Sequence, residues 1–225
     1  MNKLLTTISA FAVACVTLTS SFTASAQEIK GDAKAGQSKI AMCIGCHGIA
    51  GYQASFPEVY KVPKISGQSA KYIVSALNAY KKGERKHPSM RGIADSLNDQ
   101  DMADVAAYYS VHGVVEGATL PAKPSKEPSA QVDALLKKGG CVACHGENFA
   151  NPIDPTYPKI AGQHADYLFV ALKAYKTENN PQIGRSNGVM AGMAKQFSNN
   201  ELKELSKYVS SLDGDLKTVP QAKFR

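Results

Sequence analysis

Cys43-Ile44-Gly45-Cys46-His47 and Cys141-Val142-Ala143-Cys144-His145 decide the reading of this chain. Both are Cys-x-x-Cys-His, the attachment signature of c-type haem; with 5 Cys and 5 His in 225 residues, chance supplies roughly 0.002 copies. Two thiols three positions apart on one helical turn reach the two vinyl groups of a porphyrin, and the adjacent imidazole then points at the iron. Three other chemistries use paired cysteines. A thioredoxin-like motif needs a neighbouring βαβ pattern, which neither flank has, and a zinc site or two short disulfides leave both histidines without a role. The sequence therefore predicts two covalent haem c groups on Cys43, Cys46, Cys141 and Cys144, with His47 and His145 as axial ligands.

Working outward, the rest of the chain repeats as well. Pro63-Lys64-Ile65-Ser66-Gly67-Gln68 returns as Pro158-Lys159-Ile160-Ala161-Gly162-Gln163, and Met90-Arg91-Gly92-Ile93-Ala94 aligns with Met190-Ala191-Gly192-Met193-Ala194. The separation between copies changes from landmark to landmark, as loop-length changes between fixed points would make it. Thioether sulfur is a usual second axial ligand in electron carriers, and the repeat nominates Met90 and Met190. Met42 adjoins Cys43 and cannot cross to the far face of that haem, while Met102 matches Leu202 and reads as core. Met193 is the alternative to Met190. His87, close to Met90, is the alternative there, although neither it nor His112 nor His164 matches a histidine in the other copy.

The elements read as helices. Tyr72, Ile73, Ala76, Leu77 and Tyr80 share one helical face that Gly83 ends, and Tyr167, Leu168, Ala171, Leu172 and Tyr175 repeat it. Ser198-Asn199-Asn200-Glu201 is a capping box before Leu202, Leu205, Tyr208, Val209 and Leu212; its partner opens at Asn98 and carries Met102, Val105, Tyr108 and Tyr109. Each unit thus comprises a helix into the haem motif, a middle helix, a loop bearing methionine and a closing helix. The expectation is an all-α chain with domains at 27–115 and 130–225. Between them, Pro121, Pro124 and Pro128 disfavour helix over a linker at 116–129.

Residues 1–26 read as a cleaved leader: Lys3 supplies the charge, Leu4 to Val16 the apolar centre and Ala24-Ser25-Ala26 the cleavage site, with an uncleaved anchor as the alternative. Cleavage also removes Cys15. Composition is ordinary for a globular protein, at 44% apolar with 11 Pro and 18 Gly, which excludes collagen-like and low-complexity classes. The formal charge of +7 falls to +6 without Lys3, and haem propionates neutralise much of the remainder. Dispersed lysines in an exported chain argue against a nucleic-acid partner.

On these residues the sequence resembles the class I c-type cytochromes, and as a tandem pair the di-haem cytochrome c4 family, over essentially the whole mature chain. The resemblance implies two class I domains, carbonyls of Pro63 and Pro158 accepting hydrogen bonds from the axial histidines, and a periplasmic location. It also implies a carrier of single electrons, not an enzyme, from a quinol-oxidising complex to a terminal oxidase, with no small-molecule substrate required. Two rivals stand beside it: the cytochrome subunit of a flavoprotein sulfide dehydrogenase or other periplasmic dehydrogenase, and a peroxidase, which needs an iron position that opens.

The two methionine segments differ in charge. Lys81, Lys82, Arg85, Lys86 and Arg91 stand against Glu84, whereas the matching stretch holds Lys176 and Arg185 against Glu178. The expectation is a docking edge for an acidic redox partner at the first haem, since opposite charge raises encounter rates. A haem buried in each small domain is also expected to be required for folding.

Overall fold

Asp32 ends an extended segment and accepts the Lys34 N–H through its carboxylate, which starts α1 (Ala33–Gln37). The computed structural model describes residues 29–220, so the expected leader lies outside it. After α1 come α2 (Ala41–His47), a hairpin of β1 (Gln53–Ala54) and β2 (Tyr60–Lys61), α3 (Ala70–Lys81), β3 (Arg85–Lys86), α4 (Pro88–Asp95) and α5 (Asp99–Val111). The second copy lays down α6 (Ala130–Gly139), α7 (Cys141–His145), α8 (Ala165–Ala174), β4 (Gly184–Arg185), α9 (Gly188–Lys195) and α10 (Asn199–Ser210). The chain is mostly helical with a few short strands.

The caps read from sequence are present. Ser198 and Glu201 form the reciprocal box that starts α10, and Asn98 and Asp101 do the same for α5. The middle helices bury the expected stripe, with Ile73, Leu77 and Tyr80 inward on α3 and Leu168 and Ala171 inward on α8. Gly83 follows α3 at φ 73, a left-handed conformation that glycine takes without a Cβ clash. Each unit has its own apolar cluster: Ile44, Leu77, Met102 and Tyr109 belong to one, Leu136, Leu168, Leu202 and Val209 to the other.

Two sequence expectations need correction. The segments bearing Met90 and Met190 are not loops but the helices α4 and α9. His87 and Asn187 are their N-caps, each accepting the methionine's own backbone N–H, and Pro88 opens α4 at a position where no N–H is needed. The helix entering each haem motif is also two helices, not one. In the second copy Gly140, at φ 57, breaks α6 from α7 and redirects the chain so that the cysteines face inward.

The two units meet along a seam built from equivalent residues. β3 pairs with β4 antiparallel, Arg85 opposite Arg185, and these arginines hold the same place before the methionine helix in each copy. The hairpin of β1 and β2 reaches across as well: Glu58 pairs with Lys173 and Lys61 with Asp166 at 3.6 Å. Residues 114–128 carry neither helix nor strand. They are nevertheless fastened to the second unit, where Asn148 donates to the Pro121 carbonyl at 2.6 Å and the Tyr208 hydroxyl to the Lys126 carbonyl at 3.0 Å. After α10 the chain returns to the first unit, where the Lys217 N–H donates to the Ser66 carbonyl at 3.0 Å.

Candidate functional site

A single cavity of about 1590 Å³ runs along the seam and is lined by Cys43, Cys46, His47 and Met90 from one unit and by Cys141, Cys144, His145 and Met190 from the other. Every residue nominated for haem attachment or ligation therefore faces one continuous space. Met42, 52% exposed, lies at the rim, and Met102 is fully buried in the core, as the repeat implied. Met193 also lines the cavity, but is 36% exposed and contacts Gln196 through its sulfur. His87 lines the cavity too, with Nδ1 accepting the Met90 N–H at 3.3 Å. That position is Asn in the second copy, so its side chain is present as a helix cap.

The histidines are oriented from behind. His47 Nδ1 lies 2.8 Å from the Pro63 carbonyl oxygen and His145 Nδ1 lies 3.1 Å from that of Pro158. A carbonyl can only accept, so each Nδ1 carries the proton and each Nε2 lone pair is free for a metal. Burial keeps both imidazoles below the ordinary histidine range, against the opposing pull of those bonds. Among the described residues Cys43, Cys46, Cys141 and Cys144 form no disulfide. Burial pushes Cys43 up to about 11 and raises Cys141 as well, so both are neutral and unlike the low-pKa thiolates of redox enzymes.

The seam end of the cavity is strongly positive. Arg85 donates to the Tyr167 hydroxyl at 2.6 Å and to Tyr72 at 3.1 Å, and Arg185 donates to Tyr167 at 3.2 Å. Among the described residues neither guanidinium has a carboxylate within salt-bridge range, and Arg85 Nε is buried with no hydrogen-bond partner. Burial raises the Tyr167 phenol, but the two guanidiniums more than offset it and bring it down to about 8. Desolvated cations without an anion are costly. A group entering this cavity should carry negative charge to the seam; the two propionates of haem c would supply it, and Leu77, Val105, Leu168 and Val209 would hold its apolar ring. The residues present fit haem.

Several cations of the basic run at Lys81–Arg91 are engaged within the molecule. Arg85 belongs to the seam, Lys86 donates to the Asn180 carbonyl at 2.7 Å across it, Lys81 donates to the Leu97 carbonyl at 2.6 Å, and Arg91 pairs with Asp95 at 3.8 Å. Part of the run thus crosses the unit boundary, while Lys82 is exposed. Sequence reasoning also missed Tyr72, Tyr167, Gln68 and Gln163 as parts of the site. The identical Gly-Gln in both copies was the available signal, though it carried no hint of a cross-unit role.

Fold and site together define a c-type cytochrome that binds two haem c groups through its Cys-x-x-Cys-His motifs. A family model described as Cytochrome c matches the chain twice, over residues 33–110 and 129–213. Cytochrome c4 of Stutzerimonas stutzeri is 33% identical over 193 residues, covering 81% of this chain and 90% of that protein. Cytochrome c4 of Azotobacter vinelandii is 31% identical over the same shares. The chain belongs to the cytochrome c4 family of di-haem electron-transfer proteins. The crystal structure of reduced recombinant cytochrome c4 from Pseudomonas stutzeri superposes with TM-score 0.57 at 30% identity, covering 81% of this chain and 100% of that one. A thiosulfate dehydrogenase electron acceptor from Stutzerimonas stutzeri (strain A1501) is more distant, 28% identical over 181 residues, 76% of this chain and 78% of that protein.

Proposed function

We propose that this chain is a periplasmic carrier, not an enzyme, that passes single electrons from a quinol-oxidising complex to a terminal oxidase. His47 and Met90 would hold one iron, His145 and Met190 the other, within domains at 27–115 and 130–225. Each haem, when bound, cycles by one electron between ferrous and ferric states. The residues of the chain fix the imidazoles by the proline carbonyls and hold the methionine helices, and Arg85 and Arg185 would screen the propionates. The observation that carries this reading is the placement of both motifs and both methionines on one cavity, each methionine N–H held by an N-cap at the same point of the repeat. Axial groups on both faces of each iron would leave no open position for substrate, which speaks against the peroxidase alternative.

The test is export in a host able to attach haem, followed by mass spectrometry and a redox titration. Two added haems and two one-electron steps are expected; a mass showing fewer than two overturns the proposal. Met90→Ala and Met190→Ala should each remove one thioether signature from the spectrum. Loss of a signature with Met193→Ala in place of Met190→Ala would reassign that ligand. A second reading, the electron acceptor of a periplasmic dehydrogenase, is favoured by the named function of the relative above. Faster reduction by thiosulfate dehydrogenase than by the quinol-oxidising complex would establish it.

A further inference from the structure

We propose that Gln68 and Gln163 are positioning residues that act across the seam, each setting the strength with which the axial histidine of the opposite unit binds iron. The inference rests on the two-haem reading above and adds a cross-unit route by which one half of the chain adjusts the potential of the other.

The argument begins with one peptide group. The Pro63 carbonyl that accepts from His47 Nδ1 belongs to the same planar unit as the Lys64 N–H. That N–H does not bond within its own unit; it donates to Oε1 of Gln163 at 3.0 Å, while Gln163 Nε2 donates back to the Lys64 carbonyl at 2.9 Å. The second copy repeats the arrangement in reverse. The Pro158 carbonyl accepts from His145, the Lys159 N–H donates to Gln68 Oε1 at 3.0 Å, and Gln68 Nε2 donates to the Lys159 carbonyl at 2.9 Å. Both glutamines are 4% exposed, and each Oε1 also takes the N–H of the next residue, Ser69 or His164. Each amide is thus held at both ends, Oε1 accepting twice and Nε2 donating once, and the network assigns which atom is which.

Each bridging peptide is clamped at opposite edges by two different units: the histidine of its own and the glutamine of the other. In a chain of hydrogen bonds each member polarises the next. An acceptor on the Lys64 N–H therefore makes the Pro63 carbonyl a stronger acceptor for His47, and a more strongly held Nδ1 proton makes Nε2 a better donor to iron. Better donation favours the ferric state and lowers the potential. Removing Gln163 should thus act on the haem at His47, in the unit to which Gln163 does not belong, and removing Gln68 on the haem at His145.

The test uses the exported two-haem chain, with haem content checked by mass and each haem followed separately by NMR during redox titration. Gln163→Met keeps the length and apolar bulk of the side chain but removes both bonds to Lys64 and the one from the His164 N–H. The expected result is a rise in potential at the His47 haem of about 28 mV, a roughly threefold change in its oxidised-to-reduced ratio at about 59 mV per tenfold. The His145 haem should barely move, and Gln68→Met should give the mirror pattern. The His47 Nδ1 proton resonance should move upfield in Gln163→Met. Gln163→Glu, which keeps the acceptor for the Lys64 N–H, should bring it back and also serves where Gln163→Met fails to fold. Equal shifts at both haems, a larger shift at the haem of the mutated unit, or no shift overturns the inference while leaving the two-haem reading intact; a parent chain with fewer than two haems overturns both.

Discussion

Lys81 Nζ donates to the Leu97 carbonyl at 2.6 Å, and its counterpart Lys176 donates to the Phe197 carbonyl at the same distance. In each unit the lysine at the end of the middle helix thus holds the residue just beyond the methionine helix. With His87 or Asn187 at the other end, α4 and α9 are tied down at both termini. Lys81→Met should cost about 1 kcal/mol, the scale of one ordinary hydrogen bond for a lysine exposed to water, and should speed displacement of Met90, the proposed iron ligand, by external imidazole. Lys207→Met, which breaks only an exposed pair with Glu204, should leave that rate unchanged. Equal rates in both variants would remove the role assigned to Lys81.

Tyr167 is the one phenol of the two equivalent tyrosines shown bonding both seam arginines, since Tyr72 bonds Arg85 alone. Tyr167→Phe should therefore destabilise the haem-loaded protein by about 1–3 kcal/mol, the cost of stranding buried donors. Tyr72→Phe should cost less. Guanidinium unfolding curves of the two variants decide the order.

Asp104 is buried and accepts from Lys39 at 2.7 Å, from the Asp32 N–H at 2.8 Å and from Gln100 at 2.8 Å. The Lys39 bond first, then the Asp32 N–H, hold its carboxyl at about 2 against an ordinary 3.8. A folded value below the unfolded one means stability present above about pH 4 and lost as the pH falls toward 2. Asp104→Asn should be less stable than the parent at pH 7 and should flatten the acid limb of the stability curve. An unchanged slope between those limits would show that other carboxylates control it.

The glycines of the first unit divide sharply. A Cβ on Gly36 would lie 2.1 Å from the Asp104 carbonyl oxygen, and one on Gly31 2.1 Å from that of Ala103, so α1 rests directly on the backbone of α5. Gly36→Ala should force the helices apart and lower stability by about 1–3 kcal/mol or more. Gly92, inside α4, has nothing within 4 Å, and Gly92→Ala should stabilise by up to about 1 kcal/mol through helix propensity. Thermal melts of the loaded proteins should move in opposite directions.

The cavity of about 1590 Å³ is lined by apolar side chains of α3 and α5 in one unit, Leu77 and Val105 among them, and of α8 and α10 in the other, Leu168 and Val209 among them. Water there would wet much of both cores. A chain exported without haem should show no cooperative melt. A haem-free melt matching that of the loaded protein would show that the helices pack on their own.

Local chemistry carried most of what could be read from the sequence. The cysteines and histidines announce haem by spacing, Ser198–Glu201 announces a helix start by capping, and Met102 announces core by matching Leu202. Reading failed where the partner of a residue was distant in sequence. Arg85 looked like one more surface cation because charged side chains are normally solvated. Its actual neighbours, Tyr167 and Arg185, come from the other copy and meet it through strands only two residues long, too short for any periodicity. Helix α4 escaped notice because its start signal at His87 is an uncommon cap, and because His near Met in such a protein suggests a ligand before it suggests a helix end.

The last described residues do not finish on the unit that precedes them. Lys217 bonds to Ser66 and, through Nζ, to the Gly113 carbonyl at 3.0 Å, and the Val219 methyl lies within 2.5 Å of where a Cβ on Gly113 would stand. In chain order Cys43 and Cys46 come long before this strap, so synthesis from the amino end presents the first haem motif before the segment that fastens onto Ser66 and Gly113 exists. The first half can therefore receive its pigment ahead of the strap, which arrives only with the second half.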